Sequence, residues 1–498
     1  MMDLYEAAQA TGGTATTEGH GFTGVSTDSR SIAAGELFVA LRGERFDGHD
    51  YVRDVLARGA AAALVDHAWA AQHGQGLPLV HVADTRIALG RLGGYWRGRF
   101  DIPLIGITGS NGKTTVKEMC AAIMREHERR DDLEPMESVL ATTGNLNNDI
   151  GLPLMLLRLH AGHRAAVIEM GMNHPGEIAW LTRLARPTVA LVNNAQRAHL
   201  EGLGTLTDVA RAKGEIFEGL AGDGVAIINA DDPHARLWRE LAARRPVVSF
   251  GLDVDADVRA TARPRGFASM VTLTAAQGTV EFELPAPGRH NARNAAAAAA
   301  ACLAAGVSLG TVAEALSRYE GIKGRLQQKA GAKGALVIDD TYNANPDSMR
   351  AAIDVLAQVL GKRILVMGDM GETGAAAGQF HDEIGGHAKS AGIDRLFALG
   401  ELSEAAAHNF GEGAAHFGKV EDLVKALVAE LGPRVTVLVK GSRFMRMERV
   451  VEAIVEKDPP AGPPQGGGSQ EPKRATSANT RHPLPGEGGR GEGRQSAA

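Results

Sequence analysis

The chain has 498 residues, of which 44% are hydrophobic and only 4% aromatic, so it can form several buried cores and is long enough for about three domains. A net charge of −6 gives no general attraction to nucleic acid, so no nucleic-acid partner is expected. The two cysteines are far apart and lack metal-ligand spacing, and the N-terminus lacks the pattern of a signal peptide. We therefore expect a cytoplasmic protein. The longest alanine-rich run, Ala295 to Ala305, is too short to insert into a membrane.

Hydrophobic patterns predict three α/β domains followed by a disordered tail. We expect a small N-terminal domain over residues 1–100, a central domain over 101–322, a C-terminal Rossmann-like domain over 323–457 and a tail over 458–498. The tail is expected to be disordered because it is rich in Gly and Pro and poor in apolar residues.

Apolar runs separated by helical stretches predict the strands of each domain. In the first domain the predicted strands are Leu37–Leu41, Ala62–Val65 and Leu79–Val82. A mostly parallel central sheet is predicted from Ile102–Thr108, Ala165–Met170, Val189–Asn193, Val225–Asn229 and Val247–Phe250, followed by a hairpin of Met270–Leu273 and Val280–Leu284. Strands of the third domain are predicted at Leu336–Asp339, Arg363–Met367, Arg395–Ala398 and Val435–Val439.

The sequence Gly-Ile-Thr-Gly-Ser-Asn-Gly-Lys-Thr-Thr at 106–115 is the most informative motif of the chain. A strand, a glycine-rich turn and a helix in that order form a phosphate-binding loop, in which backbone N–H groups and the helix N-terminus face the anion. Lys113 would reach the outer phosphates and Thr114 would hold Mg²⁺. The strict pattern requires glycine where this chain has Ile107, so the loop is a variant. The alternative is a chance Gly-Lys-Thr in a glycine-rich chain.

Three further residues of the central domain are candidates for metal binding. Glu169 ends a buried strand, where a carboxylate is well placed to bind Mg²⁺, although it could instead cap the next turn. His199 follows the next strand and is a candidate for a metal or phosphate contact; a lone histidine is more often structural. Lys213 lies in an amphipathic stretch, and the residues alone favour an ordinary solvated lysine.

Polar residues at the end of the central domain and in the third domain are candidates for nucleotide contacts. Asn291 and Asn294 lie on the first turn of a predicted helix, where amides could read a base edge or Asn291 could cap the helix. Arg325, at the domain boundary, could reach the γ-phosphate as domains close. Asp340 ends a strand just before the sequence Tyr-Asn-Ala-Asn-Pro at 342–346.

Taken together, these motifs resemble the Mur ligase family. The resemblance covers about residues 20 to 450. It includes the variant loop at 108–114, Ser-Thr-Asp-Ser-Arg at 26–30, the stretch at 142–154, Tyr-Asn-Ala-Asn-Pro at 342–346 and Gly-Asp-Met-Gly-Glu-Thr-Gly at 368–374. Two departures from the family pattern are the loop at 195–201 and Thr373, where leucine is common. Neither removes a catalytic group.

The resemblance implies roles for individual residues. The catalytic set would be Lys113, Glu169, His199, Lys213 and Arg325; metal ligands would be Thr114, Glu169, His199 and, if it is carbamylated, Lys213. ATP would be bound by Thr108, Gly109, Ser110, Asn111, Gly112, Lys113, Thr114, Thr115, Asn294, Arg325 and Asp340. The other substrates would contact Ser29, Arg30, Thr142, Asn145, Asn148, Asn343 and Asn345.

The Tyr-Asn-Ala-Asn-Pro stretch is typical of those family members that add D-alanyl-D-alanine. The resemblance therefore implies a monomeric ligase that uses ATP and two Mg²⁺ ions to join this dipeptide to UDP-N-acetylmuramoyl-tripeptide through an acyl phosphate. Two alternatives stay open. One is the family member that adds a diamino acid one step earlier, although its Asp-Asn-Pro-Arg motif is missing here. The other is a nucleotide-driven switch or motor, which would need no sugar-nucleotide domain.

Overall fold

Residues 1–129, 135–198 and 200–456 are described by the computed structural model, and they form three α/β domains with mostly parallel sheets. The hypotheses about His199 and about the tail at 458–498 lie outside the described residues. No helix within the described part of the chain is long and apolar enough to cross a membrane.

The first domain contains a five-stranded sheet and a separate two-stranded ribbon. Its strands are β1 Met2–Asp3, β2 Thr14–Ala15, β3 Gly21–Phe22, β4 Gly24–Ser26, β5 Glu36–Val39, β6 Ala62–Asp66 and β7 Leu79–Val82. The sheet has the order β2-β7-β6-β5-β4, and β1 pairs with β3. The helices are α1 Leu4–Thr11, α2 Val52–Ala57, α3 His67–His73 and α4 Thr85–Arg97, with a 3₁₀ turn at Gly48–Tyr51.

Two glycines allow α4 to pack closely against the central domain. A Cβ atom on Gly93 would lie 2.9 Å from the Cα of Pro153, and one on Gly90 would lie 2.7 Å from the Trp180 ring. Real Cβ atoms do not approach other atoms so closely, so glycine at these positions sets the separation of α4 from the central domain.

The central domain is built on a nine-stranded sheet with the order β16-β15-β14-β13-β12-β11-β8-β10-β9. Its strands are β8 Leu104–Thr108, β9 Val139–Ala141, β10 Ala165–Glu169, β11 Val189–Val192, β12 Val225–Asn229, β13 Val247–Gly251, β14 Val258–Arg265, β15 Ala268–Ala275 and β16 Gly278–Leu284. The strands from β9 to β14 are parallel, and β14, β15 and β16 form an antiparallel meander that contains the predicted hairpin.

Helices cover both faces of the central sheet. They are α5 Lys113–His127, α6 Pro135–Ser138, α7 Gly151–Leu156, α8 Glu177–Ala185, α9 Leu200–Leu203, α10 Leu206–Gly214, α11 Ala235–Ala242, α12 Arg289–Ala304 and α13 Leu309–Ser317, with a 3₁₀ turn at Glu215–Gly219. The alanine-rich run lies in α12, and residues 295–301 are completely buried in the core shared with α5. Small side chains allow a helix to be covered on all sides by close neighbours. The alanine-rich run is therefore explained by its position in a protein core.

The third domain has a six-stranded sheet with the order β17-β18-β22-β19-β20-β21, in which only β17 is antiparallel to its neighbour. Its strands are β17 Gln327–Ala330, β18 Leu336–Asp340, β19 Lys362–Gly368, β20 Arg395–Leu399, β21 Ala414–Phe417 and β22 Val435–Lys440. The helices are α14 Pro346–Ala357, α15 Ala377–Ser390, α16 Ser403–Phe410, α17 Val420–Glu430 and α18 Glu448–Ile454, with 3₁₀ turns at Ala332–Gly334, Gly374–Ala376 and Arg443–Met445.

Strand register brings the polar strand ends of the central sheet together. Glu169 at the end of β10 pairs with Ile107 of β8, and Val192 of β11 pairs with Thr108. Parallel strands place their carboxyl ends at one edge of a sheet, which is where ligands bind in α/β folds. The phosphate loop, Glu169 and the loop after β11 therefore share one edge.

Candidate active site

The phosphate loop connects β8 to α5 and depends on glycine at two positions. Gly109 and Gly112 have φ angles of 156° and 79°. A Cβ atom on Gly112 would lie 2.6 Å from Asn193 Nδ2 and would also clash with the Asn294 amide. No side chain among the described residues caps the N-terminus of α5, so the first N–H groups of this helix are available to an anion at the end of the loop.

Hydrogen bonds from hydroxyl and amide side chains connect the loop to neighbouring segments of the chain. Thr108 Oγ1 donates to the Met170 carbonyl oxygen (2.9 Å), and Ser110 Oγ donates to the Gln196 carbonyl oxygen (3.1 Å). The Asn111 backbone N–H donates to Asn194 Oδ1 (2.8 Å). Thr108 is fully buried, so the side chains of Thr108 and Ser110 fix the shape of the loop. Thr115 has a different place: it lines a cavity of about 400 Å³ beside the loop.

Thr114 and Glu169 form the oxygen-rich end of the site. Thr114 Oγ1 donates to Glu169 Oε2 (2.9 Å), and Asn147 Nδ2 donates to Glu169 Oε1 (2.8 Å). The Glu169 backbone N–H donates to Thr142 Oγ1 (2.9 Å). Glu169 is therefore held from three directions with its carboxylate beside the start of α5, and the alternative in which it caps the next turn is wrong.

Two buried lysines influence each other beside the loop, and Lys113 is also close enough to feel the charge of Glu169. Lys113 Nζ donates to the carbonyl oxygens of Gly109 (2.6 Å) and Ser110 (3.2 Å), and burial lowers the pKa of its ammonium. Lys213 on α10 is only 1% exposed, so the solvated-lysine interpretation is wrong. Burial, together with the charge of Lys113, holds the pKa of Lys213 well below its usual range. Within the described chain Lys213 makes no hydrogen bond or ion pair, so its amine is favoured in the neutral form.

Arg325, at the start of the third domain, contacts Thr114 at the beginning of α5. Its Nη2 donates to Thr114 Oγ1 (3.0 Å), and its guanidinium carbon lies 4.3 Å from the centre of the Tyr342 ring. The Nε atom is buried and has no hydrogen-bond partner in the part of the chain that the structure covers. A buried donor without a partner is costly, and it leaves this arginine ready to bind an anion.

A cavity of about 400 Å³ extends from the phosphate loop along the start of α12 and includes Asn291, Asn294, Tyr319 and Phe267 in its lining. Asn294 accepts from Asn193 Nδ2 (3.1 Å) and donates to Asn291 Oδ1 (3.3 Å). The Asn291 side chain donates to the Pro287 carbonyl oxygen (2.8 Å), and α12 has no side-chain cap from any residue that the structure describes. The capping interpretation of Asn291 is therefore wrong.

A second cavity, of about 800 Å³, opens between the phosphate loop and the third domain. It is lined by the loop, Glu169, Arg325 and Asp340, by Asn148 and Asn147, by Asn343 and Asn345 and, from the first domain, by Arg86. Asp340 binds Lys440 at 2.6 Å and lines both cavities. The expected residues Glu169, Arg325, Asp340, Asn148, Asn343 and Asn345 thus line one cavity, although they come from distant parts of the chain.

Four of the residues expected to contact substrate directly lie elsewhere. Thr142 is 1% exposed and contacts the Glu169 backbone, so it supports the site from beneath. Asn145 is exposed outside the lining of either cavity. Ser29 and Arg30 lie on the first domain, also outside both linings, and Arg30 binds Asp28 at 2.7 Å on the surface. Arg30 lowers the pKa of Asp28 to about 2 through that hydrogen bond.

Sequence reasoning missed several amides around the loop. Asn147 contacts Glu169, Asn193 and Asn194 contact the loop backbone, and Gln196 Oε1 accepts from Asn111 Nδ2 (2.7 Å). The repeated Asn residues that follow β9 and β11 were the available signal. Amide side chains both donate and accept, which suits them to supporting an irregular loop.

The donor set fits Mg²⁺ together with a nucleotide. The described residues hold no cluster of three or more His, Cys, Asp or Glu side chains, so this chain would give a metal few ligands. Thr114 and Glu169 offer adjacent hard oxygens at the phosphate end of the loop. Mg²⁺ is commonly held by one or two carboxylates plus phosphate oxygens and water, which matches this arrangement.

Three family models match the chain: a Mur ligase family catalytic domain over residues 21–93, a Mur ligase middle domain over 107–302 and a Mur ligase glutamate ligase domain over 324–443. The chain is 44% identical to UDP-N-acetylmuramoyl-tripeptide–D-alanyl-D-alanine ligase of Escherichia coli K12, over 87% of this chain and 93% of that protein. It is 41% identical to the ligase of the same name from Haemophilus influenzae, with the same coverage.

Solved structures give the same result. A crystal structure of MurF from Acinetobacter baumannii superposes with a TM-score of 0.83 at 37% identity, covering 90% of this chain and 98% of that one. MurF ligase from Thermotoga maritima in complex with ADP superposes with a TM-score of 0.76 at 27% identity, covering 86% of this chain and 96% of that one.

Proposed function

The chain belongs to the Mur ligase family, and we propose that it is the ATP-dependent ligase that adds D-alanyl-D-alanine to UDP-N-acetylmuramoyl-tripeptide. It forms a carbon–nitrogen bond at the expense of ATP, in the synthesis of the peptidoglycan precursor. The relatives that share its full three-domain length carry this name. The observation that supports the proposal most strongly is one cavity that joins the phosphate loop and Glu169 to the Tyr-Asn-Ala-Asn-Pro loop at 342–346.

We assign nucleotide binding to the two sides of the phosphate loop. The loop at 108–115 binds the phosphates, with Lys113 at the β- and γ-phosphates. Asn294 lines the smaller cavity and is assigned to the adenosine part of ATP. Asp340 lines both cavities. Arg325 exchanges its bond to Thr114 for a γ-phosphate oxygen, and its unpaired Nε provides a further donor.

Thr114, Glu169 and His199 are the residues that would hold Mg²⁺, and Lys213 would join them as a carbamate; we propose two ions. Bound Mg²⁺ would neutralise charge on the phosphates and on the attacking carboxylate. The neutral amine of Lys213 attacks CO₂, forms an N–C bond and loses one proton, which turns a buried amine into an anionic ligand. Its lowered pKa supplies the neutral amine that this reaction needs.

The residues then act on two successive bond changes. The terminal carboxylate of the tripeptide attacks the γ-phosphorus and ADP leaves, while Lys113 and Arg325 offset the repulsion between the two anions. The dipeptide amine attacks the resulting acyl phosphate, loses a proton, and phosphate leaves with one oxygen of the original carboxylate. Water would hydrolyse the acyl phosphate, so we expect closure of the third domain over the central domain to seal the site during the reaction.

We assign substrate contacts to residues according to the cavity that each of them lines. Asn148, Asn343 and Asn345 lie in the larger cavity and are assigned to the peptide substrates. Ser29 and Arg30 remain our candidates for the uridine diphosphate end, on the first domain. Thr142 supports Glu169, and Asn145, outside both linings, stays a candidate for a substrate contact. We also propose that the chain acts as a monomer, because each of these groups comes from one chain, and in the cytoplasm, where ATP is available.

The test is ADP release by the purified chain with ATP, Mg²⁺ and UDP-N-acetylmuramoyl-tripeptide. Release should depend on D-alanyl-D-alanine, and the nucleotide product should gain the mass of the dipeptide less one water. A parallel reaction offers UDP-N-acetylmuramoyl-dipeptide with diaminopimelate or lysine. Turnover in the second reaction but not in the first would contradict the proposal.

A further inference from the structure

Six cationic side chains line the larger cavity, and five of them have partners. The pairs are Arg86 with Asp149, Lys440 with Asp340, Arg325 with Thr114, Lys113 with two loop carbonyl oxygens, and Arg443 with Glu448. Of these six, Arg446 alone has no hydrogen bond or ion pair from its guanidinium to any described residue. The Arg443–Glu448 contact is 3.2 Å long and exposed, so it contributes little and is easily exchanged.

Arg443 and Arg446 belong to the arginine turn, defined here as residues 443–446, which follows β22. Arg446 has a φ of 48°, a left-handed conformation that is strained for a non-glycine residue. Arg449 donates to the carbonyl oxygens of Met445 and Arg446, each at 3.1 Å. A strained backbone that its neighbours hold in place is typical of ligand sites.

Ser442 fixes the arginine turn relative to two other cavity loops. Its Oγ donates to the Ala344 carbonyl oxygen (3.0 Å) and accepts from the Gly371 N–H (2.8 Å). The loops at 343–345 and 371–372 and the arginine turn therefore form one continuous wall of the cavity, and Phe444 on that wall is 63% exposed.

The acceptor of the proposed reaction is a dipeptide with a charge at each end. Its amine must reach the acyl phosphate at the phosphate-loop end of the cavity, and its carboxylate then lies up to about 7 Å away along an extended chain. Burying that carboxylate requires a cation, and a planar guanidinium binds carboxylates with two parallel hydrogen bonds.

We propose that Arg443 and Arg446 bind the C-terminal carboxylate of the acceptor dipeptide, with Arg446 as the principal contact. This inference rests on the proposed function. The exposed ring of Phe444 lies between the two arginines in sequence and provides an apolar contact for the terminal alanine methyl group. The arginine turn thereby selects acceptors that end in a free carboxylate.

The experiment compares kcat/KM for D-alanyl-D-alanine with kcat/KM for D-alanyl-D-alaninamide, which has the same amine and no terminal charge. The unsubstituted protein should prefer the acid by about 10- to 100-fold, which is the usual value of a charged hydrogen bond. The double variant Arg443→Gln/Arg446→Asn should lower this ratio to within about 3-fold of unity, with KM for ATP and for the nucleotide substrate unchanged. Asparagine is chosen at 446 because it tolerates the left-handed conformation.

Lys419→Gln removes one positive charge from an exposed position of the third domain that lines a different cavity. It is matched in charge to the single variants Arg443→Gln and Arg446→Asn, and it should keep the full preference for the acid. Arg446→Lys should keep part of it, and the single variants serve if the double variant does not fold. A double variant that still prefers the acid, or that changes only KM for the nucleotide substrate, would overturn the assignment while leaving the proposed function intact. If ADP release by the unsubstituted protein does not depend on either dipeptide, the proposed function fails as well.

Discussion

Asn111 of the phosphate loop and Asn345 at the start of α14 exchange two hydrogen bonds between their side-chain amides, at 2.8 and 3.2 Å. The pair links the nucleotide-binding loop directly to the Tyr-Asn-Ala-Asn-Pro loop of the third domain. Asn345 also caps α14, because its Oδ1 accepts from the Ser348 N–H at 2.9 Å.

Substitutions at Asn345 should separate these two roles. Asn345→Asp keeps a capping oxygen but loses the donor to Asn111, so kcat should fall about 10-fold with little change in thermal stability. Asn345→Ala loses both and should also destabilise the fold by about 1 kcal/mol. Steady-state kinetics and thermal unfolding of both variants check this; equal unfolding midpoints for the two would show that the cap contributes nothing.

A second link between domains is formed by Arg197, which follows β11. It binds Asp347 and Glu383 of the third domain, each at 2.7 Å, and stacks on the Phe380 ring at 5.3 Å. Both carboxylates are mostly buried, and the hydrogen bonds from Arg197 lower the pKa of Glu383.

Arg197→Gln should weaken the contact between the central and third domains. We expect KM for the substrates to rise about 3- to 30-fold, and the salt dependence of KM to become shallower because a screened ion pair has been removed. Small-angle scattering should show a larger radius of gyration for the variant in the presence of an ATP analogue. Arg236→Gln, which breaks an exposed pair on α11, is the control and should behave like the unsubstituted chain.

Gly112→Ala tests the fit of the phosphate loop. The left-handed φ and the contacts with Asn193 and Asn294 leave no room for a methyl group, so the loop must distort and ADP affinity should fall at least about 100-fold. Gly378→Ala, which would place its methyl group in open space, should bind ADP normally. Calorimetric titration with ADP measures both, and normal affinity in Gly112→Ala would show that the loop adapts.

Lys213→Met should abolish activity and yet raise thermal stability at neutral pH. Unfolded lysine binds a proton up to about pH 10.4, whereas the pKa of Lys213 is lowered by burial in the folded chain. The unfolded state therefore binds more protons, and stability of the unmodified chain rises as pH increases through this window. Methionine does not titrate, so the variant lacks this pH dependence. The unfolding midpoint of the variant should exceed that of the unsubstituted chain most at neutral pH, and the difference should decrease toward pH 10.

Carbamylation of Lys213 can be tested without substitution. Carbon dioxide removed from the buffer should lower the activity, and added bicarbonate should restore it within the same sample. The Lys213→Met variant provides the control, because bicarbonate should have no effect on it. Full activity of the unsubstituted chain without carbon dioxide would contradict the carbamate.

Strong apolar runs predicted most of the interior strands of the sheets, because buried parallel strands need continuous apolar sequence. The interior strand β14 was missed, because only Val258 and Ala260 of its eight residues are buried. The strands that were missed have weak signals for a physical reason. Strand β17 at the edge of its sheet reads Gln-Gln-Lys-Ala and is largely exposed, and β9 has three residues. Edge strands bury little, so their sequences are free to be polar.

The candidate site was predicted in part. Lys113, Thr114 and Glu169 could be found because a loop motif and a strand end place them locally. The pairing of Asn111 with Asn345 spans 234 residues, and the contacts of Arg197 with Glu383 span 186; such pairs depend on how domains pack and leave no local pattern. Burial of Lys213 likewise comes from neighbours on other elements, so its helix alone favoured the wrong interpretation.

The most direct test of the proposed reaction follows one oxygen atom. UDP-N-acetylmuramoyl-tripeptide labelled with ¹⁸O in its terminal carboxylate is incubated with the chain, ATP, Mg²⁺ and D-alanyl-D-alanine, and the phosphate released is analysed by mass spectrometry. An acyl phosphate transfers one labelled oxygen to each phosphate, so we predict singly labelled phosphate that forms only when the dipeptide is present. Unlabelled phosphate, released at the same rate with and without the dipeptide, would contradict the assignment of this chain as a ligase.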